Sequence, residues 1–308
     1  MNISFELYKV FYHVAKSLSF SAAARELFIS QSAVSQNIKA LEEQLGCSLF
    51  SRHTKQVRLT REGELLFKHI EQAYQAIKTA ERSLEEMRTL ARGEVRLGAT
   101  DTICKHFLLH PFQHFSQLYP QLKLRVTNTT SPGCLDLLSR GLVDLAIIHL
   151  PEKELPANLQ AVPLQELNYG FIAGPQYRQL QGQTLTLEEI VTYPLLLLEK
   201  ATTTRNLLDQ LLAAHNLSVQ PEIESGSIDL LVELTKIGLG LTFLPLVYVQ
   251  AELASGQVFL LPLKLELPRR HLGVVTRSDF PLPLAAGKFL ELLIFAAADT
   301  EPAEQMPT

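Results

Sequence analysis

Short hydroxyl and amide side chains are concentrated in one segment of the sequence, between residues 31 and 39. The set consists of Gln31, Ser32, Ser35 and Gln36, and the cation Lys39 lies on the same face. Hydroxyls and amides can donate and accept hydrogen bonds, and an amide matches the paired donor and acceptor on the major-groove edge of adenine. An ordinary surface helix more often carries Glu and Lys in its first two turns. The set therefore predicts contact with the base edges of duplex DNA.

Apolar residues at helical spacing predict the element that positions this set. The stripe consists of Val34, Ile38, Leu41 and Leu45. It predicts a helix from Gln31 to Leu45, ended by Gly46 in a left-handed conformation. A second helix, from Ser21 to Phe28, precedes it across a short turn, which is typical of a helix-turn-helix. The expected N-terminal caps are Ser32 for the later helix and Ser19 or Ser21 for the earlier one.

Five blocks within the first 63 residues resemble the LysR-type transcriptional regulators. They are Phe20–Leu27, Ser30–Ile38, Leu41–Glu42, Leu45–Arg52 and Leu59–Gly63, in the order expected for that family. The resemblance implies a winged helix-turn-helix domain over residues 1–60. It places the base contacts on Gln31, Ser32, Ala33, Ser35 and Gln36. It places Lys39 and the wing residues Arg52, Lys55 and Arg58 toward phosphate or the minor groove, where cations bind without specifying sequence.

An apolar seam with alternating spacings of four and three runs through residues 61–92. It consists of Leu66, Ile70, Ala73, Ile77, Ala80, Leu84, Met87 and Ala91. Such a heptad seam on a long helix without proline predicts pairing with a second copy of the chain. The homodimer would present two DNA-contacting helices to a pseudo-palindromic site. The family resemblance extends this expectation to a tetramer.

Strands and helices alternate over residues 93–300, which predicts parallel sheets in an α/β domain. Leu167–Ala173 is predicted to cross between two lobes, and Leu272–Thr276 to return. The expected extents are residues 93–166 and 269–300 for lobe I, 167–268 for lobe II and 301–308 for a flexible tail. The resemblance implies the same architecture, similar to periplasmic binding proteins. The predicted fold class is therefore α+β and multidomain, with a winged helix-turn-helix, a long linker helix and a two-lobed α/β effector-binding domain.

Hydroxyl-rich turns follow the predicted strands of this domain. The set consists of Thr100, Asp101, Thr102, Thr129, Thr130, Ser131, Thr202, Thr203, Thr204, Arg205, Ser225 and Gly226. Ligands of open α/β sheets bind beyond the carboxyl ends of strands, where helix N-termini attract anions. The set therefore predicts a small anionic effector, although Ser and Thr also occur there as ordinary helix caps.

Three further expectations concern the effector. Asp101 would repel an anion or pair with an amine, which leaves an amino acid-like effector as an alternative. In the family resembled, the position of Thr100 commonly contacts the effector. The overall resemblance leans toward the family's sulfur and cysteine-biosynthesis branch.

Composition and absent motifs argue against other classes of protein. Hydrophobic residues make up 46% of the chain and charged residues 19%, a globular balance. No secretion signal and no apolar run of about 20 residues occurs, which predicts a cytoplasmic protein without membrane contact. The three cysteines lack metal-ligand spacing and are expected to be packed thiols. His106, His110 and His114 share a helix face, but Pro111 between them argues against a metal site.

Two alternatives to a ligand-controlled regulator stay open. One is an architectural DNA-binding protein without a ligand, which would not need two lobes with hydroxyl-rich turns. The other is an enzyme with an appended DNA-binding domain, but no catalytic or nucleotide-binding motif occurs, so neither a cofactor nor catalysis is expected.

The first 92 residues carry 13 Lys and Arg against 10 Asp and Glu, and the remainder carries 15 against 22. This asymmetry favours phosphate contact by the N-terminal part.

Overall fold

The first unit of the chain is built from helices and a small two-stranded sheet. The computed structural model describes residues 3–51, 56–88, 93–151, 154–200 and 202–298. The chain divides into two units, one containing Met1–Leu84 with Ser139–Leu142 and the other containing the remaining residues. The elements of the first unit are α1 (Phe5–Ser17), α2 (Phe20–Leu27), α3 (Gln31–Leu45), β1 (Phe50–Ser51), β2 (Arg58–Leu59) and α4 (Arg61–Arg88). The two strands pair antiparallel and form the wing.

The helix caps differ in part from those expected. Ser30 caps α3, because its Oγ accepts a hydrogen bond from the backbone N of Ala33 at 3.1 Å. Ser32, the predicted cap, lies inside the first turn, whereas a cap needs the extended backbone that Ser30 has. Ser19, one of the two predicted candidates, caps α2. The predicted extent of α3 and its left-handed end at Gly46, with φ of 73°, are confirmed.

A buried carboxylate joins α3 to the wing. Glu42 is 8% exposed, and its Oε1 accepts hydrogen bonds from the backbone N of Leu49 at 2.7 Å and of Phe50 at 3.3 Å. A buried backbone donor without a partner costs about 1–3 kcal/mol, so this carboxylate stabilises the start of β1. The wing is therefore held beside the second half of α3.

Gly63 allows the start of α4 to approach the wing closely. A Cβ at this position would lie 2.2 Å from the backbone O of Leu49. Because backbone cannot move aside as a flexible side chain can, we expect Gly63→Ala to lower the free energy of unfolding by about 2–3 kcal/mol. The matched control is Gly287→Ala in helix α12 (Leu284–Ala298), where nothing lies within 4 Å of an added Cβ. Helix propensity there favours Ala by up to about 1 kcal/mol.

Urea unfolding followed by circular dichroism measures both changes. An unfolding midpoint of Gly63→Ala equal to that of the wild type would contradict the close approach described above.

Only part of the predicted seam of α4 is exposed. Leu66 and Ile70 are partly buried against the core of the first unit. The exposed seam residues are Ala73, Ile77, Ala80 and Leu84. The side chain of Met87 and all of Ala91 lie outside the described residues. The surface available for a second copy of the helix therefore begins at Ala73.

The described residues of the second unit form two five-stranded sheets. Lobe I has the order β4-β3-β5-β12-β6, formed by β3 (Glu94–Ala99), β4 (Lys123–Asn128), β5 (Leu145–His149), β6 (Leu159–Leu167) and β12 (Arg270–Arg277). Lobe II has the order β11-β7-β10-β8-β9, formed by β7 (Tyr169–Ala173), β8 (Leu195–Leu198), β9 (Ile223–Ser225), β10 (Leu241–Pro245) and β11 (Phe259–Leu261). The expectation of parallel sheets is wrong in part, because β12 and β7 run antiparallel to both their neighbours.

The predicted crossing strand, Leu167–Ala173, is two strands. β6 ends at Leu167 in lobe I and β7 begins at Tyr169 in lobe II, so only Asn168 separates them. The returning strand predicted at Leu272–Thr276 lies wholly in lobe I as part of β12. Strands that pass directly between lobes lack the crossover helix that a parallel neighbour requires, which accounts for their antiparallel pairing.

Helices follow most of the strands in both lobes. In lobe I they are α5 (Asp101–Ile103), a π-helical turn (Cys104–Leu108), α6 (Leu109–Leu118) and α7 (Ser131–Ser139), with α12 later in the chain. In lobe II they are α8 (Leu187–Ile190), α9 (Thr203–Ala214), α10 (Ile228–Lys236) and α11 (Gln250–Ala254), with 3-10 turns at Pro175–Leu180 and Leu246–Val249. None of the helices in the described ranges is long and apolar enough to cross a membrane.

Candidate functional site

One surface of the first unit carries the side chains predicted to contact DNA. Gln31, Ser32, Ser35, Gln36 and Lys39 are all exposed on α3. Ala33 is half-buried, and the opposite stripe of Val34, Ile38 and Leu41 is at most 2% exposed. The helix therefore presents its polar face to solvent.

The wing lies beside this face. A groove of about 420 Å³ is lined by Ser35 and Lys39 of α3 and by Ser51 and Gln56 of the wing, among others. Arg58 is exposed on β2, and its Nη2 donates to Oε1 of Gln56 at 3.5 Å. The other predicted wing residues, Arg52 and Lys55, lie outside the described residues.

The two amides predicted to contact bases, Gln31 and Gln36, differ in the groups they leave available. Ser21 Oγ donates a hydrogen bond to Oε1 of Gln31 at 3.0 Å, which uses one of the two acceptor positions of that carbonyl oxygen and leaves the amide N–H groups available to donate. Gln36 makes no hydrogen bond within the described chain and keeps both a donor and an acceptor. Bidentate contact with adenine needs both groups, whereas N7 and O6 of guanine only accept. Gln36 therefore fits adenine with both groups unoccupied, and the amide N–H groups of Gln31 fit a purine acceptor.

A cavity of about 470 Å³ in the second unit brings together most of the hydroxyl-rich turns, and we call it the cleft. Lobe I contributes Thr100, Asp101, Thr102, Asn128, Thr129, Thr130, Ser131 and His149. Lobe II contributes Leu198, Thr202, Thr203, Thr204, Gly226, Ser227, Ile228 and Asp229. The turns predicted separately along the sequence thus meet around one space, at the starts of α5, α7, α9 and α10.

Several cleft hydroxyls are helix caps that still have a hydrogen to donate. Thr100, Thr130 and Ser227 each accept a hydrogen bond, at 3.2–3.3 Å, from the backbone N three residues further on. None of the three donates its own O–H to a group in the described ranges. Thr202 differs, because its Oγ1 accepts from Arg205 N and also donates to the backbone O of Glu199 at 2.8 Å. Capping therefore leaves three hydroxyls, but not Thr202, free to donate to a ligand.

Arg205, predicted to attract an anion, does not line the cleft. Its side chain is 2% exposed, and its Nε donates to Oδ1 of Asp209 at 2.8 Å. Its Nη1 donates to Oε2 of Glu224 at 2.8 Å and to the backbone O of Leu198 at 2.9 Å. A buried guanidinium needs such acceptors to offset its desolvation, so these contacts direct it away from the ligand space. The assignment of Arg205 to the effector is therefore wrong.

Ser225 is also absent from the cleft lining, contrary to expectation. Its Oγ accepts a hydrogen bond from the backbone N of Ser227 at 3.1 Å, within the turn before α10. That turn places Gly226 and Ser227 at the cleft instead.

Two carboxylates line the cleft, whereas no Lys or Arg does so within the described ranges. Asp229 Oδ1 accepts a hydrogen bond from Nζ of Lys105 at 3.0 Å, so its charge is balanced by a neighbouring cation. Asp101 is exposed in the first turn of α5. An anion in the cleft would therefore be held by neutral donors and by helix N-termini.

Among the polar cleft residues, sequence reasoning missed His149, Asn128 and Asp229. His149 is the last residue of β5 and follows the buried apolar run Leu145–Ile148. A polar residue immediately after a buried strand is the signal that identified the other turns, and it could have identified His149 as well.

The remaining candidates for metal or thiol chemistry do not form a site. His106 lies against the Tyr248 ring at 5.2 Å, and the rings of His110 and His114 are 6.4 Å apart. The described residues contain no group of three His, Cys, Asp or Glu that could hold a metal. Burial raises the pKa of Cys104 to about 11 and that of Cys134 to about 12, as for packed thiols.

Two family models match the chain. One, described as the LysR substrate binding domain, matches residues 88–297. The other, described as a bacterial regulatory helix-turn-helix protein of the lysR family, matches residues 5–64.

Similar proteins and structures extend over most of the chain. A RuBisCO operon transcriptional regulator of Allochromatium vinosum is 26% identical over 298 residues, covering 97% of this chain and 98% of its own. The HTH-type transcriptional regulator CfxR of Cupriavidus necator is 29% identical over 253 residues, covering 82% and 79%. A full-length OxyR variant from Pseudomonas aeruginosa shares the fold, with a TM-score of 0.70, 21% identity and coverage of 100% of both chains. The lean toward a sulfur and cysteine-biosynthesis branch finds no support among these relatives.

Proposed function

The chain belongs to the LysR family of bacterial transcriptional regulators, and from that premise we propose how its own residues recognise DNA and a small effector. It is a DNA-binding regulator with an effector-binding domain, and not an enzyme. The observation that carries the effector proposal is the meeting of hydroxyl-bearing helix starts from both lobes at one cleft. Because its partner is promoter DNA, we infer that it acts in the cytoplasm.

The DNA-contacting surface is the polar face of α3 together with the wing. Gln36 pairs with an adenine, Gln31 donates to a purine acceptor, and Ala33 lies against a thymine methyl. Ser32 and Ser35 complete the set of base contacts. Lys39 and Arg58, with Arg52 and Lys55 assigned on sequence alone, bind phosphate or the minor groove.

The effector is a small molecule with a carboxylate or other oxyanion. The O–H groups of Thr100, Thr130 and Ser227 donate to its oxygens, and the N-termini of α7, α9 and α10 add a favourable partial charge. Thr102, Thr129, Ser131, Thr203 and Thr204 complete the polar lining. An amino acid-like effector would in addition place its ammonium near Asp101.

The effector controls DNA binding by shifting the equilibrium between open and closed states of the cleft. A ligand held by both lobes favours the closure of the cleft that brings its partners together, and it can shift that equilibrium only by its difference in affinity for the two states. We infer that this closure changes the arrangement of paired chains and with it the bend imposed on promoter DNA.

We expect Thr100→Val to weaken effector binding about tenfold, because it removes one donated hydrogen bond. The measurement is the ligand-induced shift in melting temperature across inorganic phosphate, sulfate, small carboxylates and amino acids. Thr202→Val is the matched control, because it also removes a helix cap but not a hydroxyl hydrogen that is free for a ligand. An undiminished shift in Thr100→Val would contradict the site. The absence of any shift in the wild type would favour the architectural alternative.

A further inference from the structure

His149 and Tyr248 form a hydrogen-bonded polar pair at the cleft, with the His106 ring also against Tyr248, and the inference drawn from the pair rests on the function proposed above. His149 Nε2 lies 2.6 Å from Tyr248 Oη, and the two rings stack with centroids 5.7 Å apart. His149 is 8% exposed and Tyr248 is 5% exposed. His149 lines the cleft, whereas Tyr248 is buried and is not one of the lining residues. The pair therefore connects the ligand space to the buried interior of the second unit.

Burial sets the protonation state of both rings. It lowers the pKa of His149 to about 4, so the imidazole is neutral near pH 7. It raises the pKa of Tyr248 above its ordinary value, so the phenol keeps its hydrogen. The hydrogen bond between them therefore joins a neutral imidazole to a neutral phenol.

The need to satisfy every buried hydrogen-bonding group decides whether His149 or Tyr248 donates. Within the described chain, His149 Nε2 is the only hydrogen-bond partner of Tyr248 Oη. If Nε2 carried the imidazole hydrogen, the buried phenol hydrogen would have no acceptor, at a cost of about 1–3 kcal/mol. If Tyr248 donates to Nε2, both of these buried groups are satisfied. The second arrangement is favoured, and it places the imidazole hydrogen on Nδ1.

Nδ1 is then the one polar atom of His149 left for a ligand. It makes no hydrogen bond within the described part of the chain, and the residue lines the cleft. We propose that His149 binds the effector by donating Nδ1–H to an acceptor oxygen, and that Tyr248 is a positioning residue that holds the imidazole in this tautomer. The cleft at this point accepts a carboxylate or oxyanion oxygen and rejects a group that can only donate.

The tautomer can be measured without a ligand. In the full-length chain with ¹⁵N-labelled histidine, we expect the His149 signals of a protonated Nδ1 and an unprotonated Nε2, assigned by their loss in His149→Asn. In Tyr248→Phe we expect a shift toward the other tautomer, since the donor to Nε2 is gone. A wild-type His149 with its hydrogen on Nε2 would overturn the proposal, whether or not any probe binds.

Ligand binding tests the donor separately, with inorganic phosphate, sulfate and succinate as probes. His149→Asn offers an amide N–H near the position of Nδ1, and we expect it to retain binding within about threefold. His149→Asp has the same shape but presents only acceptors, and we expect at least about tenfold weaker binding. His149→Phe, an apolar ring suited to the same buried position, guards against misfolding of the Asp variant and is expected to lose about five- to tenfold.

Binding by His149→Phe equal to that of the wild type would overturn the role of His149 while leaving the cleft as the effector site. If no probe binds the wild type, the proposed effector class fails, and the tautomer measurement still decides the state of His149.

Discussion

The double variant Gln31→Ala, Gln36→Ala is expected to lower the ratio of operator affinity to random-DNA affinity by about 10²–10³. Each well-made amide contact to a base is worth about 1–3 kcal/mol of discrimination. Both side chains are exposed on α3, so their removal leaves the buried stripe of that helix intact. The operator is the sequence that the wild-type protein selects from a random duplex library, and affinities are measured by fluorescence anisotropy.

Lys39→Ala is the matched control on the same face of α3. It removes a phosphate contact, so it should weaken binding to operator and random DNA equally. The slope of log affinity against log salt concentration should become shallower by about 1. If the variant that lacks both amides kept the wild-type ratio of operator affinity to random-DNA affinity, these two side chains of α3 would not contact the bases.

The double variant Ile77→Glu, Leu84→Glu is expected to convert the paired chain to a monomer and to weaken operator binding by about 10²–10⁴. Ile77 is 41% exposed and Leu84 is 63% exposed in the single chain, both on the seam of α4. Carboxylates at facing positions would repel each other, and a monomer loses the avidity of two linked DNA-binding domains. Light scattering measures the mass, and fluorescence anisotropy measures the affinity.

Thr79→Glu is the matched control for charge on α4. Thr79 lies two residues after Ile77 and therefore about 160° away around the helix. We expect this variant to remain paired. A double variant that remains a dimer at micromolar concentration would contradict pairing through this seam.

The first unit was predicted closely because its determinants are local. The stripe of α3, its polar face and its end at Gly46 all follow from residues within one helix length of each other. The N-terminal caps were harder to predict, because neighbouring serines can each cap a helix. At α3 the extended backbone of Ser30 decides which serine does so. Apolar spacing predicts a seam on α4, but which of its residues are exposed depends on packing against α1, which spacing does not show.

The cleft was predicted by position but not by side-chain direction. The turns after β3, β4, β8 and β9 follow from the alternation of strands and helices, and most of their residues line the cleft. Arg205 was misassigned because Glu224, from β9, takes one of its donors within lobe II. The expected resemblance to the sulfur and cysteine-biosynthesis branch concerned which effector the cleft binds. The alternation of strands and helices carries no information on the identity of the effector.

The α3 helix, its exposed amides and the hydroxyls at helix starts were determined by the sequence itself, because helix periodicity and capping act over a few residues. Tertiary structure alone decided that Ser21 donates a hydrogen bond to the carbonyl of Gln31 and that the Arg205 side chain is buried against Glu224. It also decided that His149 forms a hydrogen bond with Tyr248, which lies 99 residues further along the chain. Each of these contacts depends on the packing of separate elements. Hydrogen-bond satisfaction in a buried environment then determines what each side chain can offer to a ligand.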